Sequence, residues 1–183
     1  ESFLHTAALM GIDLTPLTAV VLSHGHYDHC GGVPWLAENC RIVCHPQMAK
    51  KRYSAVRFSG FTARKKKLSL NNVYSRYRME YSSTPLYLSE RFIWSGEIPV
   101  AHPSAYGVIG EKNATVDYVK DEGVLIYKSD RGLVIFIGCG HRGLIDIVHH
   151  CQRITGINHI HALFGGFHLR SASPRKLWAI RQF

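Results

Sequence analysis

The chain contains no CxxC pair and no apolar run long enough to cross a bilayer. Its five cysteines, Cys30, Cys40, Cys44, Cys139 and Cys151, are odd in number, which speaks against a disulfide framework and for a reducing compartment. No charged segment followed by an apolar stretch opens the sequence, so nothing reads as a secretory leader. Internal repeats and low-complexity tracts are lacking too. A soluble, cytoplasmic protein is the expectation. Acidic residues are scarce: 13 Asp and Glu stand against 22 Lys and Arg, a formal net charge of +9. That balance favours anionic partners without choosing among phosphates, acidic metabolites and nucleic acid. Much of the charge lies in two runs, Lys50-Lys51-Arg52 and Arg64-Lys65-Lys66-Lys67, and such runs are ordinarily a solvated face.

What is present is a large apolar fraction, 46% of 183 residues, enough for a substantial core in one domain and too much for a disordered polymer. Ser2 to Met10 reads as a helix stopped by Gly11. Ala19-Val20-Val21-Leu22 is a short apolar run expected as a buried strand. A His-rich turn, Gly31-Gly32, a brief helix through Trp35 to Ala37 and a second strand, Arg41 to Cys44, follow in the order of a βαβ unit with a parallel strand pair. From about 49 to 109 the pattern weakens. Turn signals at Ser59-Gly60, Asn71-Asn72 and Ser95-Gly96 interrupt a basic, Tyr-rich segment, expected to be a substrate-facing excursion rather than core. Order returns with a hairpin of Gly123 to Tyr127 and Leu133 to Ile137. A helix over Gly143 to Thr155 follows, with Leu144, Ile147, Val148, Cys151 and Ile154 on one face. Next come a strand from His159 to Phe164 and a last helix capped by Ser173-Pro174.

The chemistry concentrates at Ser23-His24-Gly25-His26-Tyr27-Asp28-His29, directly after the first strand. Neutral imidazoles and carboxylates are the donors that divalent ions take, and a loop leaving a rigid strand can aim several at once. His24 and His26 can converge on one ion, while Asp28 and His29 are placed to reach a second. His141 and His168 each follow a strand and stand beside glycines, so both can join the same rim of a sheet. Either can also be an ordinary helix-capping or turn residue. Cys139 is a rival soft donor, though its interior position favours packing. His45 and His102 stay open as further ligands or substrate contacts. His149, His150, His159 and His161 fall within a predicted helix or strand as structural or surface residues.

Ser23 to Gly32, with its H-x-H-x-D-H core, resembles the signature of the metallo-β-lactamase superfamily. Gly138-Cys139-Gly140-His141-Arg142-Gly143 and Phe164-Gly165-Gly166-Phe167-His168-Leu169 are similar to the GCSHxG and GGFHL motifs of one branch. That branch comprises the dihydropterin-ribofuranosylaminobenzene-phosphate synthases of methanopterin-type cofactor biosynthesis. Gly11 to Leu14, His45-Pro46, Arg52 to Ser54 and Gly96 to Pro99 resemble it in the same order. The resemblance implies an α/β (α+β) fold, an αββα sandwich, here expected to be truncated at the N-terminus and also at the C-terminus. One domain over residues 1–183 is expected, partial, with the basic excursion inside it. The implied metal ligands are His24, His26, Asp28, His29, His141 and His168, holding two divalent ions, zinc first and iron or manganese as alternatives. Asp28 is the expected catalytic residue, binding metal and holding the attacking water. Arg52, Arg64 and Lys65 are expected to grip a small anionic or phosphorylated substrate. Asp121 and Glu122 resemble an acidic pair of the branch, either orienting a ligand imidazole or lying exposed at a strand start. The function so implied is a metal-dependent hydrolase or transferase on a small phosphorylated, pterin-related substrate. The alternatives are a nuclease of the same fold, disfavoured because no nucleic-acid-binding module accompanies the charge, or a non-catalytic truncated remnant.

Overall fold

The computed structural model describes residues 2–58, 61–71, 74–170 and 172–183. Helix α1, Ser2–Leu9, is followed by strand β1, Val20–Val21, a single turn of helix α2, Tyr27–Cys30, and a 3-10 turn, Val33–Trp35. Strand β2, Arg41–Cys44, lies parallel to β1, with Val20 opposite Ile42 and Val21 opposite Val43. Two consecutive parallel strands need a crossover between them, and the His-rich loop with its short turns is that crossover. Tight turns replace the expected brief helix, as Gly31, Gly32 and Pro34 are poor helix formers.

The expected excursion is instead built into the sheets. It holds strands β3, Arg52–Phe58, β4, Phe61–Lys67, β5, Arg78–Tyr81, β6, Leu86–Tyr87, β7, Phe92–Trp94, and β8, Gly107–Ile109. β5 adds to β2 in a parallel sheet of order β1-β2-β5. β3, β4 and β8 join β9, Thr115–Asp117, in an antiparallel sheet of order β4-β3-β8-β9. β6 and β7 enter the largest sheet. Ile93, Trp94 and Ile98 are no more than 1% exposed, so this part of the segment is core, contrary to the expectation of a substrate-facing stretch. The turn expected at Ser59-Gly60, and Asn72 of the turn expected at Asn71-Asn72, lie outside the described residues.

The largest sheet has the order β12-β11-β10-β7-β6. Its centre is the hairpin of β10, Leu125–Ser129, and β11, Gly132–Ile137, closed by the Ser129–Gly132 pair. β12, Ile160–Gly165, lies parallel to β11, which requires a crossover, and α3, Leu144–Thr155, provides it. Leu144, Ile147, Val148 and Cys151 recur at helical spacing and pack with Ile126, Leu133, Ile135 and Ile137 into one core. A second core gathers Leu22, Cys30, Val33, Ile42, Cys44, Met48 and Tyr77 beneath the crossover loop. On the other face of β11, Phe136 and Phe164 stack at 5.6 Å and are 41% and 55% exposed. The closing helix α4, Pro174–Gln182, is capped by Ser173, whose hydroxyl accepts from the Lys176 amide at 3.3 Å. Among the described residues no helix is long and apolar enough to cross a membrane.

Candidate metal centre

Three chain segments meet at the C-terminal ends of β1, β11 and β12. The loop after β1 must turn at once, and Gly25 makes that possible. A Cβ on Gly25 would stand 1.9 Å from the carbonyl oxygen of Met48, so no larger residue fits between His24 and His26 without displacing backbone. The Gly25 amide donates to Asp121 Oδ2 at 2.8 Å, and the Tyr27 amide donates to the Leu68 carbonyl at 2.7 Å. The loop after β11 is pinned by the neighbouring carboxylate. Glu122 Oε1 accepts from the amides of Cys139 at 3.3 Å and Gly140 at 2.9 Å, and Oε2 accepts from Arg142 at 2.8 Å. The loop after β12 is tied to it through the Gly166 amide, which donates to the Gly138 carbonyl at 3.0 Å.

Asp121 and Glu122 are therefore 0% exposed, not a solvated strand start. Adjacent in sequence, they point to different loops and clasp both halves of the site. Asp121 Oδ1 is 2.7 Å from Arg52 Nη2, and Arg52 Nη1 donates to both oxygens of Asp117 at 2.6 Å. This corrects the expectation for Arg52: it is 0% exposed, and its guanidinium neutralises two buried carboxylates instead of reaching a substrate. Burial pushes Asp121 up to about 6 although Arg52 and the Gly25 amide pull it down. Burial raises Glu122 as well, against the pull of the four amides from Cys139 to Arg142.

Held this way, the histidines form one cluster. His24 and His26 approach at 3.1 Å, Nε2 to Nδ1. The His24 ring lies 4.3 Å from that of His29 and 4.9 Å from that of His141, and the His26 and His141 rings are 5.0 Å apart. His168 is exposed, its ring 4.7 Å from that of His141. Its backbone is left-handed at φ 48°, a strained conformation for a residue other than glycine. Asp28 is exposed, with Oδ2 3.6 Å from His29 Nε2. The structure thus brings together His24, His26, Asp28, His29, His141 and His168. Arg64 and Lys65 lie exposed on β4, where Arg64 stacks 5.0 Å over the Tyr53 ring.

Sequence reasoning missed two contributors, Lys66 and Tyr106, and left a third, Cys139, between donor and packing residue. Lys66 Nζ sits 3.3 Å from the Tyr27 hydroxyl and 4.7 Å over its ring, putting a cation against the aromatic residue that precedes Asp28 in the chain. The Tyr106 ring is 4.4 Å from that of His141 and 4.9 Å from that of His168. Cys139 Sγ is 3.0 Å from His29 Nε2. Only for Cys139 was a signal available in the sequence, its place in the glycine-flanked motif with His141. Lys66 and Tyr106 reach the site through long-range folding.

The donor set suits a divalent cation. His141 Nδ1 and Nε2 and His26 Nε2 are buried without a hydrogen-bond partner, a costly state that a metal ion taking one lone pair from each ring would relieve in part. Burial first, then neighbouring imidazoles, brings His141 down to about 2. Burial, followed by Arg52, brings His26 to about 4, and burial with the other imidazoles holds His24 well below its usual value. All three are neutral at pH 7, the form that binds metal. His24, Cys139 and His141 bring one ligand atom each within 4.8 Å of one another, and so do Asp28, His29 and Cys139.

The chain is 27% identical, over 97% of its length, to the 7,8-dihydropterin-6-methyl-4-(beta-D-ribofuranosyl)-aminobenzene-5'-phosphate synthase of Methanocaldococcus jannaschii. It is 28% identical, over 86% of its length, to an uncharacterized protein of the same archaeon. It spans 65% and 60% of the length of these two curated relatives. Among solved structures it superposes on Tm1679, a metal-dependent hydrolase of the beta-lactamase superfamily, with a TM-score of 0.84 and 24% identity, covering 98% of this chain and 68% of that one. A quorum-quenching N-acyl homoserine lactone lactonase shares the fold more distantly, with a TM-score of 0.50 and 12% identity over 93% of this chain and 67% of that one. The family model of the metallo-beta-lactamase superfamily matches residues 2–143, and the chain belongs to that superfamily.

Proposed function

We propose that the protein is a metal-dependent hydrolase or transferase acting on a small phosphorylated, pterin-related substrate with two divalent ions, zinc foremost. The observation that carries this reading is the meeting of four histidine rings at one set of strand ends, three of them buried and neutral, with Asp28 open to solvent beside them. His24, His26 and His141 would hold one ion, and Asp28 and His29 the other, with His168 at the rim. When bound, such ions supply Lewis acidity that offsets negative charge building on an attacked or leaving oxygen.

The remaining work falls to the chain itself. Asp28 is placed to orient an entering nucleophile and accept its proton. Lys66 beside Tyr27, with Arg64 and Lys65 along the same strand, provides cations for phosphate oxygens. Tyr106, against the rings of His141 and His168, walls the other side. The pterin assignment draws on the synthase of M. jannaschii. In that reaction class the bond from a pterin methylene to diphosphate breaks, and the methylene is captured by an aminobenzene ribose phosphate.

Two measurements test the proposal. Metal content of the purified protein should fall to background in a His26→Ala, Asp28→Ala double variant. A pterin methyl diphosphate should release diphosphate and, with the aminobenzene ribose phosphate present, yield the condensed product by mass spectrometry. Diphosphate release without condensation selects the hydrolase branch. Unchanged metal in the double variant, or turnover that survives chelation, overturns the proposal.

A further inference from the structure

We infer that Cys139 is a thiolate ligand shared by the two metal positions, lying between His24 and His141 on one side and Asp28 and His29 on the other. The inference rests on the metal-dependent reading above and adds a donor to it. Two triads of potential ligand atoms occur at the site among the described residues, each closing within 4.8 Å, and Cys139 is the member common to both.

The placement of the sulfur is fixed from several directions. The Cys139 amide donates to Glu122 at 3.3 Å, and the next amide, of Gly140, donates to the same oxygen at 2.9 Å. The ideal Cβ direction at Gly166 meets the Cys139 Cα at 3.2 Å, so the β12 loop closes over the backbone of Cys139. The side chain points towards His29, with Sγ 3.0 Å from Nε2. A thiol–imidazole hydrogen bond accounts for that contact alone. It does not account for the closeness of the same sulfur to His24 and His141, nor for the two buried nitrogens of His141 that have no hydrogen-bond partner.

Charge and distance favour sharing. Two divalent ions bring four positive charges to a site whose other inner donors are neutral imidazoles, with Asp28 the one carboxylate among the expected ligands. A second anion between the ions lessens their repulsion. Metal–thiolate bonds are about 2.3 Å, so one sulfur can join two ions separated by up to roughly 4.6 Å, which includes the ~3.5–4 Å usual in two-metal sites. On binding, the S–H bond breaks, the proton leaves to solvent and the sulfur pair is donated to the metals; no electrons change hands. A thiolate also biases the site towards zinc or iron and away from manganese.

Cobalt(II) titration of the metal-free protein under reducing conditions reads this directly. Wild-type protein should develop thiolate-to-cobalt charge-transfer absorption in the near ultraviolet that changes at both the first and the second equivalent. Cys139→Ser should lose that absorption while keeping the weaker visible bands of histidine-bound cobalt, and Cys40→Ser should retain it. Should Cys139→Ser fail to fold, the wild-type spectrum still decides, because cobalt bound without charge-transfer absorption overturns the thiolate assignment and leaves the metal site standing. Absorption that persists in folded Cys139→Ser overturns the assignment in the same way. Wild-type protein that binds no cobalt overturns both readings.

Discussion

Replacing Arg52 by methionine tests whether this member of the basic segment is a buried ion-pair partner. Arg52 is 0% exposed and bonded to Asp117, which is 4% exposed, and to Asp121, which is 0% exposed. Methionine fills much of the volume and removes the charge, leaving two buried carboxylates facing each other. Breaking a buried pair by deleting one partner costs about 3–5 kcal/mol. With an m-value of about 2 kcal/mol/M, that lowers the urea midpoint by about 2 M. The loss should depend on pH. Asp121 has its folded value raised to about 6 from the ordinary 3.8, so the folded state binds more protons than the unfolded one. The resulting penalty grows as pH rises from the lower value to the upper and is complete above it. Without Arg52 the folded value climbs further and the window extends to higher pH. The deficit of Arg52→Met against wild type should therefore be larger at pH 8 than at pH 5.5. A second arm, Arg52→Met with Asp117→Asn and Asp121→Asn, removes the orphaned charges and should regain much of the midpoint. If Arg52→Met unfolds like wild type and weakens substrate binding alone, Arg52 faces the substrate and the buried-pair argument is refuted.

The site makes three further predictions. Gly25→Ala should lose metal in a protein that still folds, since its Cβ would fall 1.9 Å from the Met48 carbonyl oxygen; metal content beside circular dichroism checks this, and full occupancy would contradict it. Glu122→Gln puts an NH2 against amides that now donate to a carboxylate and should cost about 1–3 kcal/mol, with faster hydrogen exchange at Gly140 and Arg142; protection equal to wild type would sink the clasp. His141→Gln, compared with wild type metal-free, isolates one titration. The folded value of about 2 lies below the ordinary 6.5, so stability from neutral His141 is present above the upper value and lost as pH falls. The difference in unfolding free energy between wild type and variant should shift by about 2 kcal/mol against wild type from pH 7 to pH 5, and a constant difference would rule the shift out.

What could be read from the sequence followed from how local its cause is. β10, β11 and α3 declare themselves through their own periodicity and a turn between neighbours. β1 and β2 do so through short apolar runs on either side of the His-rich loop. The strands between 49 and 109 do not, because they are short and their partners are distant: β7 has three residues and pairs with β10, and β5 has four and pairs with β2. Neither alternation nor a hairpin turn can signal such a strand. The same logic divides the site. The loop from His24 to His29, with His141 and His168, is legible because a candidate metal site must be chemically particular. The members held by tertiary burial are not: Arg52 looks like part of a solvated run, and Asp121 and Glu122 look like the polar start of a strand.

Those buried members also bear on why a cation suits this place. Arg52 and Arg142 are the buried cations among the described residues, and Asp117, Asp121 and Glu122 the buried carboxylates. Two positive against three negative leaves one formal negative charge beneath the histidine cluster. Both Asp121 and Glu122 have their values raised by burial, Asp121 in spite of the Arg52 guanidinium beside it. A positive charge above them favours their ionised form, which accepts more strongly from the Gly25 amide and from the amides of Gly140 and Arg142. Those amides belong to the two ligand loops. Cation binding under the proposed function and the rigidity of the candidate ligands would thus reinforce each other through two adjacent side chains that need not touch the ion. A protein with a large positive excess overall thus keeps a buried negative balance in the residues that pin the loops of the histidine cluster.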